Sequence, residues 1–142
     1  MKDFVEQRII AAVRELLEKR VNGILQDVKI AVPMIEFGGY SGDTVVSPVI
    51  NISSCERTEK ERILLVDAYT LTISFSFPGN DSSEYCCYAY AVAVETALLE
   101  KPALKGVANR VAVTDKKYNR PKSKNYREGW ELVLTLKITK EQ

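Results

Sequence analysis

The sequence predicts an α+β fold: a mostly antiparallel sheet with two main helices packed on one of its faces, in the order α-β-β-β-α-β-β. Three observations predict it. Residues 67–77 set Tyr69, Leu71, Ile73, Phe75 and Phe77 in strict alternation with Ala68, Thr70, Thr72, Ser74 and Ser76, the period of a strand with one buried face. Two stretches, 2–20 and 81–100, carry helical signatures. The remaining apolar residues fall into short alternating runs bounded by Gly, Pro and charged segments. With large side chains on one face of the central strand and small ones on the other, the core lies on one side of the sheet. The opposite face is left to water or to something that is not this chain.

In residues 2–20, Val5, Ile9, Ala12, Val13, Leu16 and Leu17 recur at spacings of three and four among charged residues, one apolar stripe of a helix that Asn22-Gly23 is expected to end. Val28, Ile30 and Val32 read as a short strand stopped by Pro33. Residues 37–47, with Gly38, Gly39 and Gly42, read as a flexible loop. Pro48 opens a strand through Val49, Ile50 and Ile52 to Ser54, and the charged stretch 56–62 is expected to be the turn of a hairpin into the 67–77 strand, which Pro78-Gly79 ends. Asp81, with Glu84 three residues on, resembles a capping box for a second helix reaching Leu99 or Glu100 before Pro102. Val107, Val111 and Val113 form the next strand. Leu132, Leu134, Leu136 and Ile138 form the last. With no internal repeat and no linker, residues 1–142 are expected to form a single domain.

The second helix has an unusual composition. Every residue from Tyr85 to Val94 is Tyr, Cys, Ala or Val, so it presents no polar face for nearly three turns. A helix apolar all round is buried all round. The sheet covers one side; the other falls either to the first helix or to a second subunit, and in the latter case Tyr85, Tyr88 and Val92 are the candidate oligomer interface.

Composition and charge restrict the chemistry. The chain has 142 residues, 20 basic and 19 acidic side chains and a net charge of +1, so its overall field does not select nucleic acid or membrane. No apolar run approaches the roughly 18 residues of a membrane span, and the chain is expected to be made and used, or assembled, inside a cell. There is no histidine, which removes the commonest general base and metal ligand. Cys55, Cys86 and Cys87 give neither a disulfide framework nor a zinc spacing, and the adjacent pair reads as buried small hydrophobes. No two carboxylates pair in an apolar setting and no phosphate-cradling glycine pattern is present. No catalytic residue, cofactor or metal is expected.

Local charge departs from this balance in one place. Residues 115–128, expected to be the loop of the last hairpin, hold Lys116, Lys117, Arg120, Lys122, Lys124 and Arg127 against Asp115 and Glu128, six minus two or +4, with Tyr118 and Tyr126 interleaved. Such a loop either solubilises a hairpin tip or touches a phosphate backbone or an acidic surface.

The order and punctuation, Pro48-Val49-Ile50-Asn51-Ile52, the long strand ending at Phe77-Pro78, Asp81 before a helix, Pro102-Ala103-Leu104 after it, then Tyr118 and Gly129-Trp130 in a final hairpin, resemble the tail terminator proteins of long-tailed bacteriophages, typified by the minor tail protein U of phage lambda. The resemblance runs from Pro48 onward. It implies a structural virion protein, not an enzyme, encoded by a phage or prophage. Family members assemble in the host cytoplasm as a hexameric ring on the virion tail. The ring stops polymerisation of the tail tube protein and presents the surface for the head-completion or connector protein; DNA passes through it and no membrane is involved. On that view the apolar helix is a subunit contact, and the 115–128 residues touch a neighbour, the tube or DNA. Two alternatives remain: another head–tail joining or tail-completion protein, or a β-ribbon nucleic-acid binder using the basic loop.

Overall fold

A computed structural model describes residues 4–29, 31–38, 44–60, 64–100, 104–121 and 128–141. The first helix runs as α1 (Val5–Glu15), a π-helical segment (Leu16–Val21) and α2 (Asn22–Leu25) without interruption. It passes through Gly23, where the sequence suggested a stop. Burial of Val21 and Leu25 outweighs the roughly 1 kcal/mol that a helical glycine costs, and the wider π turn lets Leu16, Leu17 and Val21 all point inward.

The expected strand at 28–32 is not formed. Val28 sits in a bend, Ile30 lies outside the described residues, and the short strand β1 (Met34–Ile35) begins only after Pro33. It pairs in parallel with β2 (Val45–Val46), which occupies the end of the stretch read as loop; residues 39–43 lie outside the described ones. What holds β1 is local: the Asn22 side chain donates to the Ile35 carbonyl at 2.9 Å and accepts from the Ile35 N–H at 2.7 Å, imitating a strand on the side that β2 leaves open. The buried Tyr90 hydroxyl donates to the carbonyl of Pro33.

Strand β3 (Val49–Lys60) is twice as long as expected, because the charged residues 56–60 form strand and not turn; residues 61–63 lie outside the described ones. Charge is tolerated there since the segment is exposed throughout and pairs Glu56 with Ala68, Glu59 with Leu65 and Lys60 with Leu64 of β4 (Leu64–Pro78). Arg57 clamps the buried Asp67 with two bonds, 2.6 and 2.9 Å, so this inward-turned carboxylate has a charged partner.

Helix α3 (Ser83–Glu100) ends where expected but is not capped by Asp81. The Ser82 carbonyl accepts the first helical bond, from Cys86 N–H at 2.9 Å, and Asn80 Oδ1 accepts from Ser82 N–H at 2.9 Å, a turn that moves the start one residue along. Glu84 accepts from the Tyr88 hydroxyl instead of closing a capping box. A 3-10 turn, Leu104–Gly106, leads to β5 (Arg110–Asn119), from which Val107 is excluded, and β6 (Glu128–Glu141) closes the chain.

The main sheet is antiparallel, in the order β3-β4-β6-β5. As the alternation required, Tyr69, Leu71, Ile73, Phe75 and Phe77 of β4 and Leu132, Leu134, Leu136 and Ile138 of β6 are buried on one face. Tyr90 of α3 meets Phe75 and Phe77 edge-on, with ring centroids 5.1 and 4.8 Å away. The opposite face presents Ala68, Thr70, Thr72, Ser74, Thr135 and Lys137, and no described helix covers it.

Gly129 fixes how α3 meets the end of the sheet. The Trp130 N–H donates to Ser83 Oγ at 2.6 Å. A Cβ on Gly129 would run into the carbonyl oxygens of Phe77 and Pro78 and that same Oγ. Gly129→Ala is therefore expected to destabilise the fold by about 1–3 kcal/mol, read as a lower thermal midpoint, since two of the three obstacles are backbone.

Candidate assembly interface

Among the described residues no group of three His, Cys, Asp or Glu side chains is placed to hold a metal. Cys86 and Cys87 are buried on the inner side of α3, and desolvation holds both thiols protonated, Cys87 up to about 12. Cys55 is exposed on β3, its thiol raised by partial desolvation and the Asp67 carboxylate. The thiols thus separate by burial: a maleimide or disulfide reagent is expected to modify one cysteine per folded chain near pH 8 and three in denaturant. Three in the folded protein would contradict the burial of the pair.

The first helix settles part of the question of what covers α3. Its π segment and α2 pack against α3, and Arg20 grips Glu100 through two bonds. A stripe on the other side is left uncovered by the described residues: Tyr88 is 45% exposed, Val92 65% and Leu99 83%, with Tyr85 and Ala89 half-buried beside them. Tyr85, Tyr88 and Val92, singled out in the sequence, therefore do share one outer face, although Tyr85 is the least exposed of the three. Leu99 was missed as a helix end, yet its spacing of seven from Val92 puts it on the same stripe.

Residues 115–119, expected in a loop, belong to β5. An irregularity between Val113 and Asp115 shifts the alternation by one, so Val111 and Val113 face the helices but so do Lys116 and Tyr118 after it. Lys116 Nζ lies 2.8 Å from Glu95 of α3, which raises the lysine's pKa, and the Tyr118 ring lies 5.2 Å from that of Tyr88. Lys117 takes the uncovered face of the sheet, opposite Val133. The Arg120 guanidinium sits 5.6 Å above the Trp130 ring. Lys122, Lys124, Tyr126 and Arg127 lie outside the described residues. The described part of the basic stretch and the apolar stripe of α3 thus form one surface, along the β5 side of the molecule.

This surface has the mixed composition of a contact surface. It combines apolar and aromatic side chains with cations, and Tyr88 donates to Glu84 at 2.8 Å, which raises the pKa of its hydroxyl. No protein-family model matches the chain, and no curated protein matches it as a relative.

Proposed function

We propose that the chain is a structural protein of a phage or prophage tail that forms a ring on the end of the tail tube, stops tube polymerisation and offers the surface for head joining. The observation that carries this reading is the exposed stripe of Tyr88, Val92 and Leu99 joined to Tyr118 and the cations of β5, an apolar and aromatic patch of the kind that supports a protein contact. The resemblance in element order supplies the identity of that protein: first a second copy, then the tube and the head-completion protein. The proposed role involves no catalysis.

Two measurements test it. Light scattering over a wide concentration range, at low and moderate salt, is expected to find a ring or a monomer–ring exchange, and purified chain added to polymerising tail tubes is expected to cap them. Tubes that grow unchanged would sink the reading. Val92→Glu is expected to leave stability within about 0.5 kcal/mol, because the side chain is exposed, while abolishing the oligomer and tube capping.

The β5–β6 ribbon, with Lys117 on the uncovered face, favours a second reading as a nucleic-acid binder. Salt separates the two: phosphate contacts weaken steeply with ionic strength, whereas an apolar contact does not. Lys122→Glu combined with Lys124→Glu is expected to impair ring formation or joining if these side chains touch the neighbour, the tube or DNA. Unchanged assembly would remove them from the account.

A further inference from the structure

The main sheet has two outer strands, β3 and β5, each paired on one side only among the described residues. Directions alternate through four strands, so these two edges run oppositely. Placing β5 of one copy beside β3 of the next therefore continues the antiparallel order. We infer that two copies of this chain join head to tail through these edges, in the register that opposes Lys60 to the partner's Asp115, Glu59 to the partner's Lys116 and Arg57 to the partner's Tyr118. The head-to-tail direction rests on the ring reading above.

Charge and facing select the register. Arg57 and Glu59 lie on the helix side of the sheet, paired with Asp67 and Leu65, and Lys116 and Tyr118 lie on that same side of β5. Opposed residues must share a face, so registers differ by steps of two. One step one way sets Arg57 against the partner's Lys116; one step the other way sets it against the partner's Arg120 and Lys60 against the partner's Lys117. Like charges directly opposite destabilise a strand pair. The proposed register has none, and it places an aromatic ring beside Arg57. It also brings the partner's Tyr118 next to the strand carrying the exposed Leu65, and covers residues 56–60 of one bare edge and 115–119 of the other, which charged side chains otherwise only guard.

The strand β3 has one competing contact. Paired with its own copy about a twofold axis at Thr58, it opposes Glu56 to the partner's Lys60 and Arg57 to the partner's Glu59, but leaves β5 bare. Thiol cross-linking distinguishes the two, because directly opposed Cβ atoms lie about 4.5–5.5 Å apart, within reach of a short bis-thiol reagent. In the head-to-tail register, extended one residue past the end of β5, the native Cys55 faces the partner's Arg120. Arg120→Cys is expected to give, under oxidation or with that reagent, a ladder of covalent species beyond the dimer; with Cys55→Ser added, the ladder is expected to disappear. An oligomer by mass without the ladder overturns the edge contact and leaves the ring reading standing. A single dimer band from Thr58→Cys establishes the twofold contact and overturns the head-to-tail one. A chain that stays monomeric and uncross-linked at every concentration, with and without tail tubes, overturns both.

Discussion

The structure depends on the one-sided burial of β4. Its five large side chains from Tyr69 to Phe77 all point the same way, and β6 answers with four more, so the sheet has a single core face and both helices must lie on it. Burying a side chain of this kind contributes about 1.5–3 kcal/mol relative to exposure. A slip of one residue in either register would turn the set outward, so pairing and core specify each other. From this follows the layering of the domain: one layer of helix, one layer of sheet, and a hydroxyl-rich face with no described helix over it.

A two-layer domain with a four-stranded sheet also has margins. β3 carries alternating charge along its outer half, and β5 carries cations beside two tyrosines. Isolated charges on an edge discourage indiscriminate pairing. Patterned charges do more, since they penalise wrong registers more than they oppose the right one. The Arg57–Asp67 clamp and the Lys116–Glu95 bridge fix two of these groups in place before any partner arrives, which lowers the ordering cost of contact.

Much of this was legible in the residues, for physical reasons that differ by element. The period-two pattern of β4 and β6 and the end of α3 were readable because burial writes itself into every second or third position. Four features were not. Residues 56–60 look like a turn because strands are recognised by apolar alternation, which an exposed edge does not need. Lys116 and Tyr118 could not be assigned a side because the irregularity after Val113 reverses the alternation without changing composition. Gly23 looked like a stop because its propensity is local, whereas Val21 and Leu25 are held by tertiary burial. Asn22, the residue that secures β1, carried no signal beyond resembling a cap.

Helix α3 shows why its uncovered stripe was visible only as an ambiguity. Its buried side and its outer stripe draw on the same residue types, Tyr, Ala, Val and Leu, so patterning registers an apolar helix without saying which side meets its own core. Geometry divides them: Cys86, Tyr90, Ala93, Val94 and Ala97 go to the sheet and first helix, while Tyr88, Val92 and Leu99 are left out. In a free monomer those three forgo the free energy that burial would supply. Tyr88 and Glu95, meanwhile, are tied to β5 through Tyr118 and Lys116. Tyr88 is therefore both partly unburied and held against β5, so a contact made through it would need little ordering.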